Sequence, residues 1–229
     1  MLGQRSEAEQ LRQEMESLKP RILFQDELNR IDASFTIMDG DFEEAEQYAM
    51  AISFRESGYL LMQFLQLITV ARFRGEAEQM LPLIESVSAD HTDLPAVKVY
   101  LALLYGDVGQ FYASEEELGK LKPDLSGLNQ DISWHAMLVA LTEVAVLTKN
   151  LDLAQTLLER LPPFSGTQLV FTNICVFGSV DLYIGLLKNL LGHADADKYF
   201  HLALKQNQKV GHLPMIARSK LLVSEITTS

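Results

Sequence analysis

The sequence predicts an all-α fold, a right-handed α-solenoid of antiparallel helix pairs, and three observations carry that prediction. A hinge pattern recurs, with a glycine followed by an acidic or aromatic residue and then a small one: "MDGDFEEAEQY" (38–48), "FRGEAEQML" (73–81), "DVGQFYASEEEL" (107–118) and "LLGHADADKYF" (190–200). "LTKNLDLAQTL" (147–157) stands in a matching place without the glycine. Gly40, Gly75 and Gly109 lie about 35 residues apart, the period of a tetratricopeptide-like helix pair. The stretches on both sides of each hinge are amphipathic at helical spacing. A unit of this size cannot bury its apolar face alone, so stacked units share one continuous core.

Taken in order, residues 4–18 carry Ala8, Leu11, Met15 and Leu18 at helical spacing, a helix without a partner, and Pro20 separates it from the next helix. The first pair spans 21–55: Phe24, Leu28, Ile31, Phe35 and Met38 form one stripe, and Phe42, Ala45, Ala49 and Ile52 answer it. Gly40 suits the left-handed end of the first helix, and Asp41 is the N-cap of the second. The second pair, 58–88, sets Leu60, Leu61, Phe64, Leu67, Ile68 and Ala71 against Ala77, Met80, Ile84 and Val87. The third, 94–122, opens on Pro95, and 122–131 reads as a loop rich in Pro, Gly, Ser and Asn. The fourth is 131–162, where Lys149-Asn150 replaces the glycine and Asn150 is a residue type that tolerates the left-handed region. Pro162 and Pro163 stop that helix, and Leu169, Val170 and Phe171 read as a short extended stretch. The fifth pair is 173–210, and a second unpartnered helix covers 214–226. Two exposed apolar stripes at the ends imply a longer parent array or a homodimer through the terminal helices.

Hydrophobic residues make up 48 % and charged residues 22 %, ordinary for a folded soluble chain. The net charge of −12 argues against direct nucleic-acid binding, which needs a basic surface to release counterions. Residues 1–122 hold 22 acidic and 11 basic side chains, so nearly all the imbalance lies there. The single cysteine, Cys175, excludes an intrachain disulfide framework and fits a reducing cytoplasm. The acidic start has no apolar signal region, and no apolar run of membrane-spanning length occurs.

"FGSVDLYIGLL" (177–187) and "LGHADADKYFHLALKQNQKVGHLPMIARSKLLVSE" (191–225) resemble the tetratricopeptide-like C-terminal region of bacterial multidomain ATPase regulators. That group includes adenylate or guanylate cyclase-linked proteins and LuxR-type transcriptional regulators. "GDFEEAEQYA", "RFRGEAEQMLPLIE" and "VYLALLYGDVGQ" come in the same order upstream. The resemblance implies a non-enzymatic scaffold or sensor that binds a protein partner or small ligand in signalling or transcription. Its alternative is the regulatory tail of a class III nucleotide cyclase whose catalytic and ATPase parts are not in this chain. No P-loop, cyclase metal motif or helix-turn-helix signature occurs in these 229 residues. No cofactor is expected.

Candidate chemistry is sparse. None of His91, His135, His193, His201 and His212 stands four residues from another His or Cys, so no metal site is expected. Cys175 sits among apolar residues and reads as inert. Asp181 interrupts an apolar helix and must bond to a neighbouring unit or mark a polar groove. Trp134 and His135 open a first helix, which in such arrays lines the concave face; the simpler alternative packs Trp134 under the 123–130 loop. The expected binding surface gathers Trp134, His135, Asn173, Asp181 and Tyr183, beside the irregular segment 162–172.

Overall fold

Six turns with one hydrogen-bond pattern end six of the described helices. The computed structural model describes residues 5–17, 22–53, 57–90, 94–121, 134–172 and 174–227. Leu18, Pro20, the 122–131 loop and Asn173 lie outside the described residues, as do the side chains of Phe24, Leu60 and Leu61. Among the described residues there are twelve α-helices and one two-stranded sheet.

The helices are α1 (Arg5–Ser17), α2 (Ile22–Asp39), α3 (Phe42–Met50), α4 (Ser57–Arg74), α5 (Ala77–Asp90) and α6 (Pro95–Asp107). They continue as α7 (Phe111–Lys120), α8 (Trp134–Thr148), α9 (Leu151–Leu158), α10 (Val180–Leu190), α11 (Ala196–Val210) and α12 (Leu213–Thr227). At the end of α2, Gly40 N–H donates to Ile37 O at 3.1 Å and Asp41 N–H to Thr36 O at 2.9 Å. Gly75, Gly109, Lys149, Gly192 and Gly211 repeat this double bond, each with positive φ. The pattern satisfies carbonyls that a helix end leaves without partners. Asp41 then caps α3, its Oδ1 accepting from Glu44 N–H at 3.2 Å.

The glycine-free turn differs from expectation. Lys149, not Asn150, takes the left-handed conformation, at φ 56°. Asn150 is the N-cap of α9, its Oδ1 accepting from Leu153 N–H at 3.0 Å. An amide side chain stabilises a helix more by capping it than by easing the turn before it.

The fifth residue after three of these turns is small and wholly buried: Ala45, Ser114 and Ala154. Ser114 Oγ also donates to Ala102 O at 2.7 Å, tying α7 to α6. Consecutive helices pack along the chain, and the even-numbered helices also pack on one another, α6 on α8 and α8 on α10. α12 is not unpartnered: it packs on α11 and on α2, burying Met215 and Ser219. α1 packs on α2 but buries no residue of its own.

Residues 175–179, expected at the start of a helix, are a strand. β1 (Gln168–Phe171) pairs antiparallel with β2 (Cys175–Ser179), Phe171 opposite Cys175 and Gln168 opposite Ser179, with a bulge after Leu169. The helix begins only at Val180, where Ser179 Oγ accepts from Asp181 N–H at 3.1 Å. Gly178, at φ 90°, has a conformation no helix allows. β1 packs on α8, and β2 on α2 and α11. Under this cover α8 from Ala136 to Ala145 is buried on every face, as is α10 from Val180 to Leu187.

Candidate functional site

The even-numbered helices α4 to α12 each turn at least one side chain toward a cavity of about 240 Å³. α4 supplies Thr69, Arg72 and Phe73, α6 Tyr100, α8 Glu143, α10 Tyr183, and α12 Met215 and Arg218; Val176 and Phe177 of β2 complete the wall. No residue of α3, α5, α7, α9 or α11 lines it.

Four charges cross this surface. The Glu143 carboxylate receives both terminal nitrogens of Arg218, with Nη2 to Oε2 at 2.7 Å and Nη1 to Oε1. Arg72 Nη2 approaches Glu143 Oε2 at 3.9 Å, while its Nε donates to Asp107 Oδ2 at 2.6 Å. The Glu143 side chain is 5 % exposed, and those of Arg72 and Arg218 are 23 % and 31 % exposed. Burial alone raises the pKa of Glu143, but Arg218 and then Arg72 outweigh it and hold the carboxyl below its ordinary value. The guanidiniums are held charged in turn. The net charge of the four is zero, yet each arginine keeps an edge on the cavity.

β2 and the turn residue before it lie along this surface with carbonyls gripped by side chains. Gln66 Nε2, on α4, donates to Ile174 O at 2.8 Å and to Arg30 O at 2.8 Å. His212, just before α12, meets Val176 O through Nε2 at 2.8 Å, and Tyr183 Oη donates to Phe177 O at 2.7 Å. Burial pushes His212 down to about 4, so the ring is neutral at pH 7 and its Nε2–H is the donor. Burial pushes the Cys175 thiol up to about 12, against a lowering contact from Thr69, which favours the protonated form at pH 7.

Of the described residues expected to converge, only Tyr183 lines this cavity. Asp181 is fully buried and accepts from Ser165 Oγ at 2.6 Å, Gly166 N–H at 3.1 Å and Gln206 Nε2 at 2.7 Å. Those bonds join the 165–166 turn to α11. Trp134 is buried beneath the Arg160 guanidinium, 5.6 Å from ring centre to carbon, and His135 meets the Phe164 ring edge-on at 5.7 Å. Asn173 lies outside the described residues.

The ion-paired residues carry the same sequence signal that singles out Asp181. Glu143 is a lone acid inside "AMLVALTEVAVL", and a charge in so apolar a helix needs a partner. That its partner is Arg218, 75 positions away, has no local trace.

Among the described residues no cluster of His, Cys, Asp or Glu is placed to hold a metal ion, and no helix is long and apolar enough to cross a membrane. No family model, curated protein or solved structure matches this chain.

Proposed function

We propose that this chain is a non-enzymatic, tetratricopeptide-like binding module, a right-handed array of helix pairs whose inner face takes an extended segment of a protein partner. One observation carries the reading: an extended segment of the chain itself, β2, is held by side chains on two of its carbonyls, Val176 and Phe177, and by a third on Ile174 just before it. Backbone carbonyls gripped by side chains, with alternate side chains seated between helices, are the terms on which an extended peptide is recognised. The cavity beside β2 extends that surface, with aromatic walls for affinity and two arginine edges for orientation. A role in bacterial signalling or transcriptional regulation rests on the sequence resemblance of 177–187, 191–225 and the upstream segments.

A photo-crosslinking amino acid tests the reading. It is placed at Phe73, on the inner cavity, or at Tyr112, which is 83 % exposed on α7. A partner captured from Phe73 and not from Tyr112 is the expected result. Equal capture from both, or capture from Tyr112 alone, overturns it.

A further inference from the structure

α1 is held against α2 by charge more than by packing. None of its residues is buried, and Leu11 stays 60 % exposed. Two arginines fasten it at points two helical turns apart. Arg5 Nη1 and Nη2 donate to Asp39 Oδ1 and Oδ2 at 2.7 Å each, and Arg12 Nε and Nη2 donate to Asp32 Oδ1 and Oδ2 at 2.7 Å each. Part-exposed ion pairs of this kind are weak and are screened by salt. Beneath the helix lies a cavity of about 280 Å³, with Ala8 and Met15 as its roof, Ile31 and Phe35 as its floor, and Val170 and Val176 as its side wall. All six stay half-buried. A helix of matching shape closes such a gap, because specific contacts pack to the density of a protein interior. Ala8 is too short to do so.

The groove that α1 covers has a definite chemistry. Of its lining residues only Arg5 and Arg12 are charged, and both belong to α1. With α1 aside the remaining walls are apolar or neutral, and the carboxylates released at the edge are Asp32 and Asp39. These lie seven residues apart on α2, so they match two cations two turns apart on a facing helix. A ligand bearing a carboxylate meets repulsion there. An amphipathic helix in an apolar groove is recognised through anchors spaced in this way.

We infer that α1 is a self-blocking stand-in and that the groove beneath it docks a basic amphipathic helix of a protein partner. The partner helix carries two arginines seven residues apart, in the places of Arg5 and Arg12, and a large apolar side chain in the place of Ala8. It displaces α1 by taking over the same two carboxylates and filling the space that Ala8 leaves. Tethered α1 keeps out helices that lack this side chain. The site is separate from the cavity beside Tyr183, with Val176 common to both walls.

The probe is a fluorescein-labelled peptide of residues 5–17 carrying Ala8→Leu, and its anisotropy is titrated with the full chain. Wild type should bind it about tenfold more weakly than the double variant Arg5→Ala, Arg12→Ala, in which α1 no longer competes and both carboxylates remain. The double variant Asp32→Asn, Asp39→Asn loses the same two clamps and frees α1 equally. Without the carboxylates it should bind the peptide about tenfold more weakly than the arginine variant. The native 5–17 peptide should bind the arginine variant about tenfold more weakly than the substituted one. Saturating peptide should also speed amide hydrogen exchange in residues 5–17 of the wild-type chain, a readout that needs no variant. Equal affinity of the two double variants, of wild type and the arginine variant, or of the two peptides overturns the inference, as does unchanged exchange at saturation. A wild-type dimer that the arginine variant lacks overturns it too, since α1 of a second copy would then occupy the groove.

Discussion

Glu143 and Arg218 stand 75 positions apart in sequence and meet in a two-pronged ion pair that joins α8 to α12 at the cavity beside β2, Nη2 to Oε2 at 2.7 Å. The carboxylate is the more buried partner, so the two deletions are not equivalent. Arg218→Ala leaves Glu143 with only the distant Arg72 and should cost about 2–4 kcal/mol. The double variant Glu143→Leu, Arg218→Met removes both charges and should recover at least half of that loss. Urea unfolding of the three proteins checks the ordering. A double variant no more stable than Arg218→Ala contradicts the account.

His212 makes the fold acid-labile. Its pKa falls from 6.5 to about 4 on folding because burial disfavours the charged ring, with Arg5 lowering it and Asp39 raising it nearby. Between those values the unfolded chain binds the extra proton, so stability rises with pH there. The contribution is complete above about pH 7 and is lost as pH falls through 6.5 toward 4, up to about 3 kcal/mol. His212→Gln keeps a donor for Val176 O without the titration. Its stability should vary less over this window, and a curve parallel to wild type would assign the acid lability to other groups.

Lys149 has the left-handed conformation that glycine holds in the other five turns of the same pattern. A side chain there costs roughly 1–2 kcal/mol, and glycine returns part of that through its greater freedom when unfolded. Lys149→Gly should therefore stabilise the chain by about 0.5–1 kcal/mol. A drop in the unfolding midpoint would show that the lysine side chain makes a compensating contact.

Gly185 and Phe200 set the approach of α10 to α11. A methyl group at Gly185 would fall 2.6 Å from Phe200 Cε1, and Phe200 is wholly buried. Gly185→Ala should cost about 1–3 kcal/mol through overpacking. Adding Phe200→Leu should relieve part of that cost, so the two substitutions are expected to be less than additive in a double-mutant cycle. Additive losses would mean that the helices separate without the ring being involved.

Local chemistry explains why so much of the helical pattern was legible. A hinge such as Gly40-Asp41 needs one residue free to adopt positive φ and one side-chain acceptor, and both are written in neighbouring letters. The strand at 175–179 was missed because its apolar run is short enough for either structure. Gly178 and the cap at Ser179 pointed away from a helix. Of the expected binding residues, Asp181 was visible as a charge in an apolar helix, but its partners Ser165 and Gln206 lie 16 and 25 positions away on either side.

The sequence by itself determined that the chain is mostly helical and where most helices stop, because periodicity, caps and left-handed turns act within a few residues. Only the tertiary structure decided that β2 packs on α2 and α11, that α12 packs against α2, and that Glu143 meets Arg218. Those contacts join residues far apart in sequence through packing and charge neutralisation in three dimensions, and no local pattern encodes which distant partner each group finds.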